Sequence, residues 1–145
     1  MGDQKKAFRV VQELDGLFVG FPSCMKNIDE VCRIADHYLK ERLPGISDHI
    51  FALNLLMREG LTNAVRHGNR NDSKKEVCLS INLSGRTWVH MEIRDQGRGF
   101  DWKKLDMHRL PDTEDHGRGI PIMEQYASWY RYNDKGNVLY IGKEI

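Results

Sequence analysis

Alternation of apolar and polar residues in three parts of the chain predicts three pairs of strands. In residues 7–21, Phe8 and Val10 alternate with polar neighbours, and Leu17, Val19 and Phe21 do the same after a turn. The same period of two recurs further along the chain. The remaining strands are predicted over 77–83, 89–93, 129–133 and 137–143, and the three turns at Asp15-Gly16, Gly85-Arg86 and Lys135-Gly136.

Apolar residues at helical spacing predict two long helices and a short one. The first helix is expected to open at Pro22-Ser23 and to end at Pro44-Gly45. Its predicted buried positions are Ile28, Val31, Cys32, Ala35, Tyr38 and Leu39. The second is expected to start with Ser47 as N-cap and to run to about His67, with Gly68-Asn69 as its C-terminal signal. The third is predicted over about 120–127, with Pro121 in its first turn.

The order of these elements indicates the fold class. Strands, helices, strands, a long loop, a short helix and two closing strands are typical of an α+β sandwich with helices on one face of a mostly antiparallel sheet. Residues 96–116 hold glycine, proline and charge without a clean period, which predicts a long functional loop or lid. The 145 residues are expected to form a single domain, residues 1–145.

Composition narrows the functional classes. The chain is 40% hydrophobic and 30% charged, as in an ordinary soluble globular protein. Lysine and arginine number 22 against 21 acidic residues, and the basic residues are scattered, so nucleic-acid binding is not expected. No apolar run approaches the ~20 residues that span a bilayer, so no membrane segment is expected. Three cysteines without a C-x-x-C pair indicate reduced thiols, and hence a cytoplasmic protein.

Candidate chemistry begins on the second predicted helix. Glu59 and Asn63 are four positions apart, so their side chains lie roughly 40° from each other around the helix axis. A carboxylate beside a carboxamide can hold a hard cation and still provide a base, although a solvated helix face is the simpler interpretation of this pair alone.

Two glycine motifs follow. Asp95 comes directly after a predicted strand, in the sequence Asp95-Gln96-Gly97-Arg98-Gly99-Phe100-Asp101, where it could accept from an exocyclic amine while the glycines let a ring approach. His116-Gly117-Arg118-Gly119 leads into the third predicted helix and could direct backbone amides at an anion. Each motif alone is weak, and neither is a P-loop or a dinucleotide fingerprint.

Taken together and in this order, the three motifs resemble the N, G1 and G2 boxes of the GHKL superfamily, which comprises gyrase, heat-shock chaperones, histidine kinases and mismatch-repair ATPases. Phe21-Pro22-Ser23 before the first helix and Gly136-Asn137 before the last strand resemble one branch, the bacterial anti-sigma factor serine-protein kinases. The resemblance covers roughly residues 8–143. Pro121 and Asn137 depart from it, because relatives usually have a hydrophobic residue and a threonine at these positions.

The resemblance implies a Bergerat-type ATP-binding sandwich with ATP and Mg²⁺ as cofactors. Asn63 would ligate Mg²⁺, Asp95 would receive the adenine amino group, and Glu59 would be the catalytic base for a serine hydroxyl. The other implied nucleotide contacts are Thr62, His67, Gly97, Gly99, Gly117, Arg118 and Gly119. Thr62 could equally pack, and His67 could equally cap helix carbonyls.

The implied function is a switch that binds a sigma factor and phosphorylates a STAS-type anti-anti-sigma partner, with a homodimer expected by analogy. Three alternatives stay open at this point. One is the catalytic domain of a sensor histidine kinase, for which an upstream phosphoacceptor hairpin is missing. Another is a binding module whose affinity for a partner is gated by ATP, and the last is an ATPase in which Glu59 activates water.

Overall fold

A computed structural model describes residues 8–99 and 119–145, and six strands in this part of the chain form one antiparallel sheet. The order across the sheet is β1-β2-β3-β4-β6-β5. The six predicted strands are therefore confirmed. Their bounds are β1 Arg9–Glu13, β2 Gly16–Pro22, β3 Glu76–Ser84, β4 Trp88–Arg94, β5 Trp129–Tyr132 and β6 Val138–Glu144.

The helices are α1 Ile28–Arg42, α2 Ser47–Asn63 and α3 Gly119–Tyr126. All six residues predicted to form the buried stripe of α1 are buried. On the sheet, alternate residues such as Val19, Leu79 and Ile141 are fully buried against the helices. The core thus lies between the helices and one face of the sheet, which confirms the predicted α+β architecture.

The beginnings of the two long helices differ from the prediction. Pro22 is the last residue of β2, and the amide of Ser23 still donates to the carbonyl of Lys75, so strand pairing continues where a helix was expected. A 3₁₀ turn, Met25–Asn27, then leads into α1. Ser47 is also not an N-cap, because Ile46 holds that position without a side-chain hydrogen bond. Ile46 is buried, so its apolar packing rather than a hydroxyl cap fixes the start of α2.

The end of α2 also differs from a plain helix running to His67. After Asn63 the chain widens into a π-helical turn, Ala64–Gly68, and the amide of Asn69 donates to the carbonyl of Ala64. Such wide turns inside helices occur frequently at functional sites. Here the turn directly follows Asn63, the predicted metal ligand.

Candidate nucleotide site

The C-terminal part of α2 lies directly on the sheet. Gly60 is buried, and a Cβ atom placed on it would lie 2.4 Å from Cδ1 of Ile93, so a glycine is needed for this close approach. Ile93 lies two positions before Asp95. Glu59 and Asn63, both half-buried, are therefore brought to the end of β4, where Asp95 follows.

Asp95 is a buried carboxylate held by its backbone on one side and by a turn on the other. Its amide donates to the carbonyl of Asn137 over 3.0 Å, which continues the pairing of β4 with β6. Its Oδ1 accepts the amide of Gly97 over 2.7 Å. Within the described part of the chain, this bond to Oδ1 is the side-chain hydrogen bond of Asp95. The other carboxylate oxygen, Oδ2, can therefore accept from a ligand.

Burial and the neighbouring cations have opposite effects on the pKa of Asp95. Burial raises the pKa of the Asp95 carboxyl above its ordinary value, while the Gly97 amide and the positive charges of Lys135 and Lys75 oppose that rise. A desolvated acceptor with one oxygen already directed by a backbone amide is well suited to recognise a single amino group. This arrangement fits the adenine-binding role that the sequence predicts for Asp95.

Gly97 and Gly68 interlock beneath this carboxylate. A Cβ atom on Gly97 would lie 2.0 Å from the carbonyl oxygen of Gly68, and a Cβ atom on Gly68 would lie 2.3 Å from the Asp95 carboxylate. Contacts this short involve backbone or a fixed carboxylate, so a methyl group cannot be accommodated by a rotamer change. The glycine that the sequence predicts for nucleotide access thus also lets the turn after β4 approach the π-helical turn.

The Gly97→Ala substitution is expected to lower the free energy of unfolding by about 3 kcal/mol or more, because the backbone must move to relieve the overlap. Urea denaturation measures this loss. Gly16→Ala is the control, since a Cβ atom on Gly16 would make an ordinary contact of 3.4 Å with Asn82. A Gly97→Ala variant as stable as the Gly16→Ala variant would contradict the close approach.

Asn69 is buried and forms hydrogen bonds to several separate segments, whereas the sequence predicted it only as part of a helix C-terminal signal. Its side chain is 0% exposed; Nδ2 donates to the carbonyl of Glu76 over 3.0 Å, and Oδ1 accepts the amide of Gln96 over 2.8 Å. With its own amide bound to Ala64, Asn69 joins the π-helical turn, the start of β3 and the segment after β4. A small polar residue after a helix-ending glycine was the only sequence signal for this role.

The Asn69→Ala substitution is expected to cost about 1–3 kcal/mol, because the partly buried carbonyl of Glu76 and amide of Gln96 lose their partner. Thermal and urea unfolding measure the loss. Asn82→Ala is the matched control, because Asn82 is exposed on β3. Equal stability of the two variants would show that the Asn69 side chain is dispensable.

The turn between β5 and β6 forms another wall of the site. Oδ1 of Asn133 accepts the amides of Gly136, Asn137 and Val138 at 2.9–3.1 Å. Nδ2 of Asn133 donates to Oδ1 of Asn137. Asn137, which stands where relatives usually have threonine, thereby holds the backbone next to Asp95 within a rigid turn.

Gly99 lies against this same turn. Its φ angle is +82°, and a Cβ atom would lie 1.9 Å from the carbonyl oxygen of Lys135. The left-handed conformation and the close approach both require glycine. Gly99 therefore joins the segment after β4 to the β5–β6 turn; its role in shaping a nucleotide pocket stays a prediction.

Tyr132, at the end of β5, was not identified from the sequence. Burial raises the pKa of the Tyr132 phenol to about 12, and the negative charges of Asp95 and then Glu59 add to this shift. One side chain therefore lies within electrostatic reach of both predicted carboxylates. The N-box carboxylate and the G1 carboxylate, which lie 36 positions apart in the sequence, are thus both close enough to Tyr132 to affect its ionisation.

The chain matches the family model described as "Histidine kinase-like ATPase domain" over residues 21–143. It belongs to the histidine kinase-like ATPase domain family. This match covers most of the chain and confirms the predicted GHKL membership and its sandwich fold.

Curated relatives of this histidine kinase-like ATPase domain carry the name anti-sigma F factor, which confirms the resemblance to the anti-sigma branch. A protein of that name from Anoxybacillus flavithermus is 29% identical over 119 residues, covering 79% of this chain and 81% of the relative. One from Priestia megaterium is 27% identical over 130 residues, covering 85% and 88%. One from Bacillus subtilis is 26% identical over 108 residues, covering 72% and 73%.

The remaining predicted residues of this ATPase domain lie as follows. Thr62 is half-buried next to Asn63, and His67 is exposed in the π-helical turn. Gly119 is the first residue of α3, as expected for a glycine that feeds a helix start. Gly117, Arg118 and residues 100–116 of the predicted lid lie outside the described residues.

Two properties of the described residues concern metal binding and membrane insertion. No group of three or more His, Cys, Asp or Glu side chains there could hold a metal ion by itself. Mg²⁺ is usually bound by one or two protein oxygens together with substrate phosphates, so Asn63 fits a nucleotide-bound Mg²⁺ rather than an all-protein site. Helices long and apolar enough to cross a bilayer are also absent from this part of the chain.

Proposed function

We propose that this protein is an ATP-dependent anti-sigma factor and serine-protein kinase that binds a sigma factor and phosphorylates a STAS-type anti-anti-sigma partner. The observation that carries the proposal is the close approach of α2 and its π-helical turn to the end of β4, through Gly60 on Ile93 and Gly68 on the Asp95 carboxylate, in a chain whose relatives are named anti-sigma F factor. Such a protein would act in the cytoplasm. It would be a single domain and, by analogy, a homodimer.

In this proposal Asp95 selects the base of the nucleotide. Its Oδ1 is occupied by the Gly97 amide, so Oδ2 would accept from the exocyclic amino group of adenine. Gly97 and Gly99 let the segment after β4 pack closely on the backbone at Gly68 and Lys135, and this packing would shape the adenine pocket. The rigid turn at Asn133 and Asn137 would keep the Asp95 backbone in place during exchange of nucleotide.

Glu59 and Asn63 would serve the triphosphate end. The Asn63 carboxamide oxygen would hold Mg²⁺, which supplies charge neutralisation at the phosphates when it is bound. Glu59, on the same face of α2, would take the proton of the attacking serine hydroxyl. Histidine kinases usually carry asparagine there, since an imidazole nucleophile needs no strong base, so a carboxylate favours a hydroxyl substrate.

The glycine turn before α3 would complete the phosphate site. Gly117, Arg118 and Gly119 would cradle the phosphates, with Thr62 and His67 as further contacts from α2 and the π-helical turn. The start of α3 at Gly119 supports this role, because the amides of a helix N-terminus favour an anion.

Incubation of the purified protein with γ-labelled ATP, Mg²⁺ and candidate STAS proteins tests the proposal. The expected result is phosphoserine on one STAS partner and none when Mg²⁺ is chelated. Co-purification with individual sigma factors tests the second activity. Tight ATP binding without transfer to any STAS protein would contradict the kinase assignment and favour an ATP-gated binding module.

A further inference from the structure

The two edges of the sheet are the strands β1 and β5, and they differ in how they are protected. β5 has four residues and lies against α3, where the Tyr130 hydroxyl donates to Glu124 over 2.7 Å. β1 is exposed at all five of its positions. Proteins usually shorten, cover or charge a sheet edge, because its unpaired N–H and C=O groups can bind another strand. Within residues 8–99 and 119–145, β1 is therefore the edge that stays open to a further strand.

Apolar side chains follow this open edge. Val10 is 41% exposed, Val11 is 52% exposed, and Leu14, in the turn to β2, is 77% exposed. Val10 lies on the helix face of the sheet, since it pairs with the buried Val19, and Val11 lies on the opposite face. Both faces of β1 thus expose a valine, and a strand placed beside β1 would remove these side chains from water.

The sequence of β1 is complementary to itself in the antiparallel direction. When a twofold axis relates two antiparallel strands, residues of the same face lie opposite each other, so the axis passes through a residue. An axis at Val11 places Arg9 opposite Glu13 of a second copy, and Glu13 opposite Arg9. An axis at Val10 would place Arg9 opposite Val11. Opposite charges across two strands favour the pairing, so the axis at Val11 is preferred.

Arg9 has the capacity to contact a second carboxylate. Its Nη2 and Nε bind Glu76 at 2.6 and 3.0 Å, while its side chain is 59% exposed. The remaining donors of the guanidinium can reach Glu13 of a second copy. Exposed ion pairs of this kind fix the register of an interface more than they add to its stability.

We propose that the β1 strands of two copies of this chain pair antiparallel about a twofold axis at Val11. The two six-stranded sheets then form one continuous sheet, with the helices of both copies on the same face. This inference rests on the homodimer of the proposed function and assigns its interface. It requires neither the nucleotide nor the kinase step.

Disulfide cross-linking tests the position of the axis. Paired Cα atoms across antiparallel strands lie about 4.5–5.5 Å apart, a separation that suits a disulfide. Under mild oxidation, Val11→Cys is expected to migrate as a covalent dimer on a non-reducing gel. Gln12→Cys is the matched control, since residue 12 lies opposite Val10 of the second copy, and it is expected to stay mostly uncross-linked. The wild type reports any cross-link through the native cysteines, Cys24, Cys32 and Cys78.

Sedimentation velocity of the full chain tests the interface itself. The wild type is expected to sediment as a dimer. Val11→Lys places two like charges opposite each other and is expected to weaken association by about tenfold or more. Phe51→Lys is the control, because it changes an apolar residue that is 67% exposed on α2, away from β1, and it is expected to associate like the wild type. Thermal unfolding verifies that both variants are folded.

The outcomes separate this interface from the rest of the proposed function. A monomeric wild type would overturn the inference together with the homodimer, and the kinase assignment would still depend on its own assay. A dimer that persists in Val11→Lys, or a Val11→Cys variant that cross-links no faster than Gln12→Cys, would overturn the β1 interface alone. A wild type that dimerises through β1 but transfers no phosphate to STAS proteins would support the interface and contradict the kinase assignment.

Discussion

Glu59→Gln is expected to reduce phosphoryl transfer to the partner serine by about 10²–10⁴-fold, the usual contribution of a general base. Glutamine has nearly the same shape but cannot take the hydroxyl proton. ATP affinity is expected to stay within about threefold, because the residues proposed to bind base and metal are unchanged. Single-turnover transfer from labelled ATP, with binding measured separately, gives both quantities.

Two further variants make the Glu59 result interpretable. Glu30→Gln removes an exposed carboxylate of α1 that pairs with Arg33 at the surface, and it is expected to transfer at the wild-type rate. Glu59→Asp keeps a carboxylate but withdraws it by one methylene, and is expected to retain partial activity. Transfer by Glu59→Gln at the wild-type rate would remove Glu59 from the base role.

The second large effect is expected at Asp95. Asp95→Asn should weaken ATP binding by about 100-fold or more, since it loses a charged acceptor and introduces a donor opposite the adenine amino group. Two carboxylate oxygens can serve the Gly97 amide and the base together. A carboxamide has one acceptor oxygen and can serve only one of them. Calorimetric titration with ATP measures the loss.

The same variant should keep or gain stability at neutral pH. Burial raises the pKa of Asp95 in the folded chain, so folding favours the protonated form. The resulting contribution to stability is present below the unfolded-state pKa and is lost as pH rises through the folded-state value. Removing the charge should therefore raise the midpoint of thermal unfolding at pH 7, whereas Glu13→Gln, on the exposed edge strand β1, should leave it unchanged. A lowered midpoint with intact ATP binding would contradict both roles of Asp95.

Much of this fold follows from local sequence patterns. The apolar residues of α1, from Ile28 to Leu39, recur at the helical period, and each predicted buried position is buried because a helix can hide only one stripe. The strands β3 and β4 alternate strictly around Gly85, since one face meets the helices and the other does not. The motifs at Glu59, Asn63 and Asp95 were also visible, because their residue types and order form a recognisable set.

Helix ends and supporting contacts were less accessible from the sequence. Ser47 has the composition of an N-cap, yet buried Ile46 holds that position, because tertiary packing outweighs a local preference. The π-helical turn after Asn63 has no composition of its own. It is closed by Asn69, whose side-chain partners Glu76 and Gln96 lie 7 and 27 positions further along the chain.

The sequence by itself determined the strands, the helix stripes and the residue types available for a nucleotide, since these depend on periodicity and on the chemistry of single side chains. Only the tertiary structure decided that Gly68 fits against the Asp95 carboxylate and that Gly97 fits against the carbonyl of Gly68. Those relations depend on how closely separate elements approach each other. That distance is set by the packing of the whole core, and no local pattern encodes it.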